Sequence, residues 1–249
     1  MHDVVLLSVA AFLAGALNSV AGGGSFLTLP ALVFTGMLPV AANATGTVAL
    51  LPGYVSGTWG FREDLESPPG LSMRAIVLIS LIGGSVGAAL LLFTSDTAFR
   101  KVVPWLLLAA TAMFAFAPQL RKWAGASTHG PASPWKSGLG MFLVAGYGGY
   151  FNGGLGILLL ALFGLLGQTR LNAMNGMKNL VSALLTAIAV IIYAAGGLVH
   201  WPEALLMMVA ATLGGYVGAR VARRIPAPWL RGGIVAIGLA TTVVFFMKQ

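Results

Sequence analysis

An all-α polytopic membrane protein of two inverted repeats is the fold that the sequence predicts. Each repeat is a glycine-broken pair of short helices followed by three spanning helices, about ten helical elements in all. Three observations predict it. The first is composition: 58% of the 249 residues are hydrophobic and 8% are charged, with a mean hydropathy of +0.91, whereas soluble domains carry about a quarter charged residues. Apolar runs of about 20 residues recur from end to end and no polar block is large enough to fold separately, so one transmembrane domain, 1–249, takes up the chain. The second is an internal repeat. A shift of 131 residues carries Gly15, Gly22, Gly23, Gly36 and Ala42 onto Gly146, Gly153, Gly154, Gly167 and Ala173. It also carries Gly83, Gly84, Gly87 and Ala88 onto Gly214, Gly215, Gly218 and Ala219, and Thr111 onto Thr242. An offset held without a gap over that length divides the chain into repeat 1 (about 1–118), a linker (119–134) and repeat 2 (about 135–249).

The third observation is charge. If each short run is a separate element, so that each half has odd parity, Arg62, Arg74, Arg121, Lys122, Lys136, Arg170, Arg220, Arg223, Arg224 and Arg231 all fall on one side. Only Arg100, Lys101 and Lys248 fall on the other. Eight plain spans would divide the same residues almost evenly. The positive-inside rule therefore selects ten elements with both termini outside, and odd parity makes the repeats inverted.

In order, Val4–Ala21 is an apolar run, Ser25–Gly36 a short one, and Val40–Phe61, Leu71–Phe93 and Ala98–Ala117 are full spans. The second copy is Trp135–Phe151, Gly156–Leu166, Leu171–Ala195, Pro202–Ala222 and Trp229–Met247. At 1.5 Å per residue the short runs reach about 18 Å, so they read as half-helices. Met1-His2-Asp3 lacks a basic n-region, so the first run is expected to be retained rather than cleaved as a signal peptide. The formal charge of +8 is spread over short loops with no aromatic-rich basic groove, which fits cytoplasmic loops and anionic lipid, not nucleic acid. The absence of cysteine excludes disulfides, thiolate catalysis and Cys-ligated metals.

The candidate site lies at the glycine breaks. Backbone that leaves a helix inside a bilayer must be satisfied by protein or by a wet cavity. Gly22-Gly23-Gly24 opens onto a helix starting at Ser25, whose free N–H groups and positive dipole end suit an anion. Asn152-Gly153-Gly154 does the same before Gly156. Inverted repeats bring such tips together from opposite sides, leaving a place for a small anion between them. Glycines also permit tight helix packing, and that reading suits Gly83-Gly84-x-x-Gly87 and Gly214-Gly215-x-x-Gly218; contiguous glycines next to Asn18 and Ser25 instead destabilise a helix without adding a packing ridge.

Asn18, Asn43, Thr45, Asn152 and Asn175 are candidate neutral donors. Lys178, the one ionisable residue well inside a predicted span, is the candidate counter-charge; a buried cation costs several kcal/mol unless paired or solvated, and snorkelling is the alternative. The carboxylates Asp3, Glu63, Asp64, Glu66, Asp96 and Glu203 and the three histidines are all peripheral, which disfavours metal transport and carboxylate-driven antiport. No metal or cofactor is expected. An intramembrane serine protease would need a His within a span, and GYVSG around Ser56 misspaces the glycine of a nucleophile elbow, so an enzyme is not expected either. A scaffold would need no polar cavity at all and stays open as an alternative.

Gly15-x-x-Asn18 leading through AGGGSFLTLPAL to Gly36-x-x-Pro39-x-x-Ala42-x-x-Thr45, with a degenerate second copy, resembles the TauE/SafE family of the TSUP superfamily over the full chain. The second copy departs from the first, with Ala161 in place of Pro30 and Leu155 in place of Gly24. The resemblance implies a permease of the bacterial inner membrane for sulfite, sulfonates and related organosulfur anions, often described as sulfite exporters. It points to export by alternating access of sulfite or an organosulfonate such as sulfoacetate. Uptake, or a carboxylate substrate, is the alternative. The expected partners are that anion and membrane lipids, the chain being a monomer or homodimer with periplasmic termini.

Overall fold

The computed structural model describes residues 2–20, 22–116, 119, 133–221 and 227–247. Most of the linker, and Arg121, Lys122, Arg223, Arg224 and Lys248, lie outside the described residues. Within them the chain is helical throughout. The first half of the chain holds α1 (His2–Val20), α2 (Ser25–Phe34), α3 (Pro39–Gly60), α4 (Met73–Leu92) and α5 (Asp96–Ala115). The second half holds α6 (Pro134–Tyr150), α7 (Leu155–Leu165), α8 (Leu171–Ala195), α9 (Trp201–Val221) and α10 (Ala227–Met247). A 3₁₀ turn, Arg62–Asp64, follows α3.

Local chemistry sets the helix ends, and it is repeated. Gly36 and Gly167 have φ of 91° and 87° and close α2 and α7. Beyond each, an N–H reaches five residues back, Met37 to Leu32 at 3.2 Å and Gln168 to Phe163 at 3.0 Å. That closure needs a left-handed residue, which explains glycine at both copies. Prolines occupy the first turn of α3 and of α6, and Ser72 Oγ accepts the Ala75 N–H at 3.2 Å to cap α4.

Each short helix folds back on its predecessor. A Cβ placed on Gly24 would sit 3.0 Å from the Ala14 carbonyl oxygen, so α2 returns along α1. In repeat 2 the same construction puts Gly148 2.7 Å from the Leu155 side chain and Gly140 3.1 Å from that of Leu162, an antiparallel hairpin of α6 and α7. Loop contacts then fix direction. The Val40 N–H donates to Asp96 Oδ1 and the His200 N–H to Thr45 Oγ1, each at 3.1 Å, so the start of α3, the start of α5 and the start of α9 share one face. At the other face Arg170 Nη1 meets Glu66 Oε2 at 2.8 Å and Gln168 Nε2 donates to the Glu66 carbonyl at 2.7 Å, which joins the end of α3 to the start of α8. The equivalent helices α3 and α8 therefore run antiparallel, and the two hairpins enter from opposite faces.

Packing repeats with the same exchange. α1 lies on α9 as α6 lies on α4, and α3 packs on α9 as α8 packs on α4, with α3 against α8 and α5 against α10 between the halves. The first seams are small-residue contacts. A Cβ on Gly15 would overlap the Ala211 carbonyl, one on Gly214 the Phe12 carbonyl, and one on Gly87 the Gly146 carbonyl, the close backbone approach that membrane helices obtain from glycine.

The burial pattern is that of a protein in lipid. Apolar side chains one helical turn apart are exposed along α4 (Leu78, Ile82, Val86, Leu90) and along α9 (Leu205, Val209, Leu213), while Asn18, Ser25, Thr28, Asn43, Thr47, Asn152, Lys178, Ser182 and Thr186 are buried. A stripe of large apolar residues on an outer face is costly in water and neutral in a bilayer. α4 and α8 are each long and apolar enough to cross a membrane; α2 and α7 are shorter apolar helices.

Candidate functional site

Both glycine breaks interrupt the helix, and they meet. Gly22 and Gly154 have φ of 79° and 72°, a left-handed conformation that glycine adopts without steric cost. A Cβ on Gly22 would lie 3.0 Å from Gly156 Cα, and one on Gly156 would lie 3.0 Å from Gly22 Cα. The second position is also 3.3 Å from Lys178 Cδ, so the aliphatic stem of the lysine rests against the junction of the two breaks. Lys178 is 3% exposed. At the start of α7 the N–H groups of Ile157 and Leu158 return to the Gly154 carbonyl, and that of Gly156 has no acceptor among the described residues. A side chain at 156 would press on the Gly22 backbone, which would have to give by a few tenths of an ångström, and on the lysine stem, which can move aside.

Beside this junction runs a chain of polar groups that crosses between the halves. The Tyr54 hydroxyl donates to Asn152 Oδ1 at 2.9 Å, and Asn152 Nδ2 donates to Thr186 Oγ1 at 3.5 Å. Asn18 stands near the same tyrosine hydroxyl on the α1 side, and its own Oδ1 has no partner among the described residues. Tyr147 donates to the Gly153 carbonyl at 2.6 Å and Asn43 Nδ2 to the Tyr150 carbonyl at 3.0 Å, so two side chains hold the second break open from the carbonyl side. On α8, Lys178, Ser182 and Thr186 stand one turn apart on one face, and the buried Ser182 hydroxyl also lacks a partner among the described residues.

A cavity of about 340 Å³ leads toward this chain from the face that carries Arg62 and Arg170. Phe61 and Tyr216 lie toward its mouth and Asn18 and Leu50 at its depth, with Gly53, Ser56 and Gly57 on the α3 wall. A second hollow, between α2, α5 and α10, is walled by apolar residues with Arg100 beside them; the glycine breaks are in the lining of neither.

Of the residues singled out in the sequence, the structure brings together Gly22, Gly156 and Lys178, and places Asn18 and Asn152 on the two sides of Tyr54. Gly23 and Gly24 pack inside the first hairpin against Leu17, Phe26 and Leu50, and Ser25 is buried at the start of α2. Asn43 and Thr45 are buried, and both are engaged with backbone: Asn43 on Tyr150 and Thr45 on His200. Asn175 is half-buried one turn before Lys178. Sequence reasoning missed Tyr54, Ser182 and Thr186. The last two could have been found from their four-residue spacing after Lys178; a single tyrosine in an apolar run gave no such pattern. Among the described residues no group of His, Asp or Glu is arranged to hold a metal ion.

Apolar outer faces, a line of buried polar groups, and two broken helices meeting beside a buried lysine are features of a helical membrane protein of the transporter type. The chain belongs to the sulfite exporter TauE/SafE family, whose model matches residues 7–245. It is 29% identical over 97% of its length to a probable membrane transporter protein, ORF9, of Sinorhizobium, covering 92% of that relative. It is 31% identical over 88% of its length to a probable membrane transporter protein of Haemophilus influenzae, covering 84% of it. With the probable membrane transporter protein YfcA of Escherichia coli it shares 28% identity, over 87% of this chain and 79% of that one.

Proposed function

We propose that this protein is a permease of the bacterial inner membrane that exports a small sulfur-containing anion, sulfite or an organosulfonate such as sulfoacetate, by alternating access. The observation that carries the reading is the meeting of Gly22 and Gly156 beside Lys178. Helix starts arriving from opposite faces offer their positive dipole ends and the lysine offers the charge, and a cavity lined by Asn18 and Leu50 lies beside the first break. The absence of carboxylates among the buried polar residues named above means that nothing there repels an anion. In this reading the face with Arg62 and Arg170 is cytoplasmic, both termini are periplasmic, and the repeats are inverted across the membrane. No catalysis is proposed.

Purified protein in liposomes, loaded with sulfite, sulfoacetate or a carboxylate control and placed under imposed pH or sodium gradients, tests the reading. Saturable efflux of the sulfur anions is expected. Lys178→Met should weaken anion binding about tenfold or more, the loss of one buried charge-assisted contact, with the protein still folded. Wild-type affinity in that variant would remove Lys178 from the site, and no flux of any of the anions would remove the function.

A further inference from the structure

The tyrosine that sequence reasoning passed over has a defined chemical role in the polar chain. A carboxamide is ambivalent, presenting an acceptor on one side and two donors on the other, and an anion site needs the donors. A tyrosine hydroxyl has one proton to give. That of Tyr54 goes to Asn152 Oδ1, at 2.9 Å. Having given it, the hydroxyl can only accept from any other neighbour, and the nearby Asn18 has its Oδ1 without a partner among the described residues. The donor direction is therefore from Tyr54 to Asn152. The Asn152 amide nitrogen then carries two hydrogens against one long contact, 3.5 Å to Thr186, at a residue only 2% exposed. Gly153 and Gly154, the next two residues, are the second break itself. Tyr54 reaches Asn152 across 98 positions of sequence and from the other repeat, and its own counterpart in repeat 2 is Leu185, which can hold no amide.

We propose that Tyr54 is a positioning residue that locks the Asn152 carboxamide with its oxygen turned away and its N–H2 toward the anion, so that the first repeat sets the donor polarity of the second repeat's break. This rests on the anion-site reading above. It concerns orientation, not contact, so Tyr54 itself need never touch the substrate.

The test is sulfite binding to the full-length detergent-purified protein, followed with the melting temperature of the ligand-free form, in Tyr54→Phe, Asn152→Ala and the double variant. Tyr54→Phe keeps the ring and loses the lock. It should bind sulfite about tenfold more weakly, the worth of one misdirected hydrogen bond to a charge, with the ligand-free melting temperature little changed. The double variant should bind no more weakly than Asn152→Ala alone, because Tyr54 acts only through that amide. Additive losses, or wild-type affinity in Tyr54→Phe, would overturn the proposal. Asn152→Asp provides a second check that does not depend on Tyr54→Phe folding. The carboxylate still accepts from Tyr54 but has no hydrogen to offer and adds a negative charge at a buried position, so sulfite binding should be lost, in a folded protein that melts below wild type; retained binding would overturn the lock. If wild type shows no saturable anion binding, the functional reading falls and the proposal falls with it; wild-type binding with the wrong variant pattern sinks the proposal alone.

Discussion

Two clefts related by the 131-residue shift stand in opposite states. Between α1, α3 and α9 the α3 wall carries Gly53 and Gly57, with Tyr54 next to Gly53 in the helix, and Gly215 on α9 lines the cavity without crowding, the Gly15 carbonyl oxygen lying 3.6 Å from an added Cβ. The counterpart between α6, α8 and α4 has Leu184, Leu185 and Ile188 at those positions. There a Cβ on Gly84 would meet Leu185 Cβ at 2.8 Å and Ile188 Cγ2 at 3.1 Å, and one on Gly149 would overlap the Gly84 carbonyl. The Tyr193 hydroxyl closes the same seam by donating to the Gly149 carbonyl. One backbone plan thus yields a vestibule on one side and a packed core on the other, and the difference lies in a few side-chain volumes on α3 and α8. In the proposed cycle the sealed cleft opens as the vestibule closes, with the Gly22 and Gly156 junction common to both states.

The junction is where the largest effect is expected. Gly22 and Gly36 share the left-handed conformation, but an added Cβ at Gly36 meets nothing within 4 Å, whereas at Gly22 it presses on the Gly156 backbone. Gly36→Ala should cost about 1 kcal/mol, the conformational term alone. Gly22→Ala adds an overlap with backbone that cannot rotate away, and should cost about 2–4 kcal/mol in all. Thermal unfolding of both variants in detergent checks the difference; equal losses would mean that the two breaks do not bear on each other.

An intermediate effect separates the clefts directly. Ser56 lines the open cavity and Ala187 is its half-buried equivalent. The chain has no cysteine, so single cysteines can be introduced without removing any. Ser56→Cys should react readily with a membrane-impermeant maleimide applied from the cytoplasmic side of inside-out vesicles, and Ala187→Cys slowly from either side. Adding sulfite should shift the ratio toward Ala187→Cys if turnover exchanges the two states. Equal labelling of both positions in the absence of substrate would contradict the asymmetry.

Much of this arrangement was legible in the sequence because it is carried by backbone-permissive residues. Contiguous glycines marked the breaks, and the short apolar runs ending near Gly36 and Leu166 marked the short helices, each for a reason that needs no knowledge of neighbours. What could not be read was pairing between the halves. Asn43 and Thr45 were picked as donors for their polarity, and nothing local says that Tyr150 and His200 will take them up. Tyr54 was hidden for the opposite reason: in an apolar helix its ring reads as core, and its hydroxyl finds a partner, Asn152, only once the second hairpin arrives beside it. The sealed cleft was invisible because leucine and isoleucine in a membrane helix face lipid or core with equal ease.

The smallest effect is expected where the picture of the basic face is easiest to overstate. Arg170 pairs with Glu66 at 2.8 Å and with Asp64 at 3.7 Å, and so ties the loop after α3 to the start of α8. It looks like a clasp across the mouth of the vestibule. Yet the Arg170 side chain is 64% exposed, and ion pairs in that setting lose most of their Coulomb energy to water and salt. The same two loops are also joined by Gln168 Nε2 on the Glu66 carbonyl at 2.7 Å, in a half-buried position that keeps more of its value. Arg170→Ala should therefore lower stability by less than about 1 kcal/mol, with the difference vanishing in high salt, and Gln168→Ala should cost more. A larger loss for Arg170→Ala, undiminished by salt, would show that the vestibule mouth closes in the resting protein and that the cleft comparison describes only one of two populated states.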